Sequence, residues 1–150
     1  PDHGRLRPWR FVVIAEAQRE RFGEVLAGAL QRREPNAAPE AIARERQKAL
    51  RAPVIVVVAA QLRASAKIPD VEQIVSAGAA AQNVMLAVHA LGFGAMWRTG
   101  APAYDPGVKQ ALGLDPNDAI IGFIYIGTHV GGASPLPRPV VEDFVTFWRG

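Results

Sequence analysis

The residues able to do chemistry are few and scattered. The 150-residue sequence has no cysteine, which removes thiolate nucleophiles, thiolate metal sites and disulfides. Its three histidines, His3, His89 and His129, lie far apart, and none has a helical His or Glu partner at metal-ligand spacing. No metal site is expected. No Walker A sequence and no G-x-S-x-G elbow occurs, and no G-x-G-x-x-G follows a strand-like run. Gly92-Phe93-Gly94 falls at the end of a helical stretch, where the partial charge is negative and repels a pyrophosphate. Hydrolase and metalloenzyme chemistry therefore lack their parts, and no side chain is assigned as catalytic. Residue types alone single out no site: His3 in the polar loop Pro1-Asp2-His3-Gly4 reads as an exposed loop histidine, and Arg98, at the end of an apolar run before Thr99-Gly100, as a solvated arginine in a turn.

The elements that position these residues follow from hydrophobic pattern. Trp9 to Ala15 is apolar and β-branched, a strand. Phe22, Val25, Leu26, Ala29 and Leu30 recur at helical spacing between Glu16 and Arg33. Pro35-Asn36 breaks that helix, and Pro39 to Leu50 forms a second, polar one with proline in its first turn. Pro53 to Ala60 is a continuous apolar run, a strand covered on both faces. Ser65 to Pro69 is a loop. A helix over 70–91 follows, small and apolar on nearly every side from Ile74 to Leu91, close to membrane-spanning length. Its Ser76, Gln82, Asn83 and His89, and the Asp70 and Glu72 before it, mark a buried helix of a soluble core instead. A helix apolar all round needs cover on every side, which points to a partner subunit. Gly92 suits a left-handed cap, Phe93 to Arg98 a short strand, Pro106 to Leu112 a short helix, and Ala119 to Gly127 a further strand. Gly131 to Pro139 is a loop and Val140 to Trp148 an aromatic tail. The order is β-α-α-β-α-β-α-β in one domain spanning residues 1–150, with helices packed on one central sheet.

Composition limits the partners. Nearly half of the residues are hydrophobic, and the formal charge of +3 is mild and unblocked, so no nucleic-acid arm is expected. The basic balance suits an anionic phosphate cofactor. The lack of cysteine favours a cytoplasmic protein, with no membrane partner. The start carries neither a leader pattern nor an initiator methionine, the mark of a chain trimmed or incomplete there.

Three segments, in order, resemble the nitroreductase family, and most closely its small YdjA-type branch. They are Pro1-Asp2-His3-Gly4 running through Pro8-Trp9 into the strand, Ser76 to Asn83 continuing to Leu91-Gly92-Phe93-Gly94-Ala95-Met96-Trp97-Arg98-Thr99-Gly100, and Gly122-Phe123-Ile124-Tyr125-Ile126-Gly127-Thr128. The resemblance implies an α+β fold, an α/β sandwich with a central mixed sheet, a homodimer, and FMN held in a groove between subunits. It implies FMN contacts at His3, Trp97, Arg98 and Thr99, with the Arg98 guanidinium on the phosphate. The activity implied is transfer of a hydride from NAD(P)H through flavin to a nitroaromatic, quinone or similar small planar acceptor, with NAD(P)H a transient donor. Members usually open with an Arg-Arg-Ser-like motif whose arginine and serine grip the FMN phosphate, and those positions are not among these residues. That departure keeps a second reading open: a non-catalytic dimeric ligand-binding or structural protein of the same fold.

Overall fold

A computed structural model describes residues 1–64, 67–131 and 137–150. The elements are β1 (Trp9–Ala15), α1 (Gln18–Arg33), α2 (Pro39–Gln47), β2 (Val54–Ala60), α3 (Asp70–Ala90), β3 (Gly94–Arg98), α4 (Pro106–Ala111) and β4 (Ala119–Gly127), with 3-10 turns at His3–Arg5, Lys48–Leu50, Ala101–Tyr104 and Val141–Asp143. The loops expected at 65–69 and 131–139 lie partly outside the described residues, at 65–66 and 132–136.

The strands form one sheet in the order β1-β2-β4-β3. Every pairing is antiparallel, which corrects the expectation of a mixed sheet. The reason lies in the connections. α1 and α2 form a hairpin, with Gly23 of α1 lying against the Arg46 carbonyl of α2. One helix out and one helix back return the chain to the end of β1, where Ala15 pairs with Val54 and β2 must run the other way.

Each face of the sheet carries its own core. Ile55, Val57 and Ala59 of β2, with Phe123 of β4, pack against Phe22, Leu26 and Ala29 of α1 and Val108 of α4. The alternate residues Val58 and Ile124 pack with Ala81 of α3, joined by Val56, Met85, Ala95 and Trp97. The continuous apolar run of β2 thus reflects cover on both faces, as its pattern implies. β4 carries a bulge where its register against β2 shifts between Val58 and Ala59. The extra residue lets Ile120 and Phe123, three apart, face the same side.

α3 is buried along one stripe only, at Gln73, Ser76, Ala77, Ala81 and Val88. Val71 and Val75 are more than half exposed at 61% and 62%, and Ile74 and Leu86 are also exposed. The sheet covers one side of α3 and, among the described residues, nothing covers the other, in keeping with the expectation that one small chain cannot cover a helix apolar nearly all round. No helix among the described residues is long and apolar enough to cross a membrane. α3 ends as its pattern predicts, with Gly92 at φ +81°. The Phe93 N–H bonds the Val88 carbonyl and the Gly92 N–H that of His89, a Schellman cap.

Candidate functional site

Two structured places carry the residues singled out in the sequence. The first is the loop before β1. Arg5 and Arg7 take positive φ values of 55° and 49°, rare for side chains with a Cβ, so contacts must hold them there. The Asp2 carboxylate accepts the Arg7 N–H at 2.9 Å. Gly4 takes φ +66°, and a Cβ there would lie 2.1 Å from Ile68 Cδ1, which would have to turn aside to admit it. The loop is tied to the first turns of α3 twice. The Ser76 hydroxyl donates to the Pro1 carbonyl at 2.5 Å, and His3 Nδ1 bonds the Glu72 carboxylate. Fixing Nδ1 leaves Nε2 for another partner. Beside it, Pro1, His3, Val71, Glu72, Val75 and Ser76 line an open cavity of about 260 Å³.

The second place is the end of β3. Successive strand residues face opposite sides, so Trp97 and Arg98 cannot line one face together. The Trp97 indole turns toward α3 and lies over Gly122, where a Cβ would come 2.0 Å from its Nε1. Its N–H donates to the Ile121 carbonyl at 3.3 Å. A glycine inside β4 thus marks a close approach, and Trp97 pins the strand end to its neighbour. Arg98 turns the other way, its Nε–H directed at Met96 Sδ at 3.1 Å. Arg98 and Thr99 together line a cavity of about 170 Å³ with Phe22, Lys48 and Tyr125, on the side of α1 and α2. Just past the strand, the N–H groups of Thr99 and Gly100 donate to no backbone carbonyl among the described residues.

The structure therefore joins Arg98 to Thr99, sets the Trp97 indole on the opposite face, and leaves His3 elsewhere. The His3 loop leads into β1 and Arg98 ends β3, and these are the two edge strands, with β2 and β4 between them. None of residues 97–99 lines the cavity beside His3. Gln82, Asn83 and His89 of α3 are exposed and make no side-chain hydrogen bond among the described residues. Two residues were missed in the sequence. Glu72 gave no signal because its partner lies 69 positions away. Arg51 was one arginine among many until the fold set it beside Arg98 and Tyr125.

Comparison with known proteins bears on the whole chain. The nitroreductase family profile matches residues 1–128. YdjA of Escherichia coli K12, named as a candidate NAD(P)H nitroreductase, is 38% identical over 150 residues, spanning 99% of this chain and 80% of its own length. A candidate nitroreductase from Desulfovibrio desulfuricans, solved in complex with FMN, superposes with a TM-score of 0.70 at 26% identity, covering 97% of this chain and 76% of that one. A nitroreductase-like protein from Bacillus cereus has the same fold, with a TM-score of 0.82 at 20% identity over 100% of this chain and 78% of its own. The profile match and the YdjA relative each span most of the chain, and this chain is a member of the nitroreductase family.

Proposed function

We propose that the chain forms the body of a cytoplasmic, homodimeric, FMN-dependent oxidoreductase that draws hydride from NAD(P)H and reduces a nitroaromatic, quinone or similar planar acceptor. The observation that carries this reading is the shelf at the start of α3. There an imidazole fixed by Glu72 stands beside exposed Val71 and Val75, on a helix whose outer apolar face has no cover among the described residues.

The residues present fit a flavin ring. A flat, largely apolar ring needs an apolar support and a few polar contacts at its rim. Val71 and Val75 supply the support, and His3 Nε2 is free to bond the rim because Nδ1 is engaged. The N–H groups of Thr99 and Gly100, which meet no backbone carbonyl among the described residues, offer further donors at the end of β3. In this reading Trp97 contributes by fixing that strand end through Ile121, and Arg98 through its backbone, because its side chain faces the other side of the sheet. A second copy laid on the outer face of α3 would bring a His3 shelf toward a partner's strand end and exclude water from the ring. When bound, FMN supplies the hydride acceptor and the electron relay, so no protein acid or base is required.

The test uses the purified protein. Flavin fluorescence quenching measures FMN binding, sedimentation measures assembly, and NAD(P)H oxidation is followed with a nitroaromatic. The expected result is a dimer that binds FMN, with His3→Ala and Glu72→Gln both weakening affinity by about tenfold, the scale of one or two hydrogen bonds at roughly 1.4 kcal/mol per decade. Protein that binds no FMN when the flavin is supplied would favour the non-catalytic reading, whose motive is that the family's phosphate-gripping motif lies outside these residues.

A further inference from the structure

The described residues between β2 and α3 belong to no helix or strand, yet they are gripped one after another. The Gln61 N–H donates to the Pro8 carbonyl at 2.7 Å. The Leu62 N–H donates to Oδ1 of Asp118 at 3.1 Å, while Oδ2 of the same buried carboxylate accepts the Asp115 N–H at 3.0 Å. Arg63 is held twice by Gln73 of α3: its N–H donates to Oε1 at 3.0 Å, and its carbonyl accepts from Nε2 at 2.9 Å. The same Nε2 donates to the Ile68 carbonyl at 3.4 Å. A carboxamide offers the donor and acceptor of a peptide group, so Gln73 pairs with Arg63 as a neighbouring strand would. Gln73 is 1% exposed, an unusual place for a glutamine, and both of its polar atoms are used.

This clamp bears on the loop that carries His3. Ile68 is buried and lies against Gly4, the residue after His3. On α3, Gln73 falls between Glu72, which holds the His3 imidazole, and Ser76, which holds the Pro1 carbonyl. One turn of helix thus carries both ties to the loop and the clamp on its seat. Arg63 is exposed, so without Gln73 its peptide groups can turn to water and the segment is free to shift. Taking the shelf as the flavin site, on which this step depends, we propose that Gln73 is a positioning residue: it holds Ile68 against Gly4 and so fixes where the His3 imidazole stands beside Val71 and Val75.

The variant Gln73→Met keeps the length of the side chain and removes both polar atoms. FMN affinity, read by flavin fluorescence quenching, should fall about three- to tenfold, up to the loss expected for His3→Ala itself. In a His3→Ala background the same substitution should change affinity by less than about twofold, because the group it positions is gone. A merely structural loss would weaken binding equally in both backgrounds. Ile68→Ala, which removes the seat and leaves the clamp, should repeat this pattern and serves where Gln73→Met fails to fold. A second readout needs no flavin. A carboxylate only accepts, so Glu72 holds the neutral His3 ring with its proton on Nδ1. Nitrogen-15 spectra of the imidazoles, with the His3 signals assigned by their loss in His3→Ala, should show that tautomer in wild type and a shift toward the Nε2–H form in Gln73→Met. No loss of affinity, equal losses in the two backgrounds, or His3 signals unmoved by either variant would overturn the proposal. If wild type binds no FMN while the His3 signals still answer to Gln73→Met, the flavin reading falls and the clamp on His3 stands.

Discussion

Substituting Gly122 by alanine probes how the end of β3 is held. The added methyl would lie 2.0 Å from Trp97 Nε1, 2.6 Å from its Cδ1 and 3.0 Å from the Arg98 carbonyl oxygen. No carbon tolerates such contacts, so the indole must leave its position over β4. Overpacking of this kind costs about 1–3 kcal/mol. Displacing the indole also breaks its bond to the Ile121 carbonyl, about 1 kcal/mol more. The sum is about 2–4 kcal/mol, or roughly 5–15 °C in Tm for a domain of this size. Urea unfolding monitored by circular dichroism gives the free energy directly. The companion variant Trp97→Phe shrinks the ring and removes the N–H, and Gly122→Ala/Trp97→Phe completes a double-mutant cycle. Because the methyl then has less to strike, the double variant should be more stable than the sum of the single losses by 1 kcal/mol or more. A Gly122→Ala protein within about 0.5 kcal/mol of wild type, or a cycle additive within about 0.5 kcal/mol, would refute the packing argument.

Asp105 offers a pH test. It accepts from Arg32 at 2.7 Å and caps α4 through the Val108 N–H at 2.9 Å. Burial pushes its carboxyl upward, but the Arg32 and backbone hydrogen bonds prevail and hold it below the usual carboxylate range. A lowered folded-state value means stability present in full above the unfolded-state value and lost as the pH falls through the folded one. Asp105→Ala should therefore cost about 1 kcal/mol at pH 7, with the gap to wild type closing in acid below about pH 4. A gap that stays constant from pH 7 to pH 3 in urea unfolding would contradict this. Gly23→Ala sets two effects against each other. Helix propensity favours alanine by about 1 kcal/mol, but the new Cβ would lie 2.8 Å from the Arg46 backbone oxygen, which cannot rotate away. With a clash of about 1–3 kcal/mol the penalty should win and Tm fall; a raised Tm would show that the α1–α2 hairpin opens freely.

What the sequence made legible was what local pattern controls. β1 and β4 fall on the residues their apolar runs mark, and the two-sided burial of β2 follows from its lack of alternation. The Gly92 cap was legible because few residues but glycine reach that φ without strain. The antiparallel sheet was not legible, because it depends on a helix hairpin returning the chain to its starting end. The open face of α3 was half legible: composition called for cover all round, but only the sheet's width decides how much one chain provides. The opposed directions of Trp97 and Arg98 were within reach of strand alternation alone, and the family resemblance obscured them by naming both residues as contacts. The distance between His3 and Arg98 depends on sheet order, which residue types along a single chain do not encode.

The bulge in β4 ties the count of residues there to the shape of the strand. Up to Ile120 the strand keeps one parity, and from Phe123 onward it keeps the other. Removing a single residue between them would restore an unbroken zigzag with both still on one face, whereas flattening the bulge at the present length would roll Ile120, now 7% exposed, out of the layer beneath α1 and α4. Length and bulge in this stretch therefore change only together. Relatives of different size should gain or lose residues in segments such as 34–38, where no ladder has to stay in step.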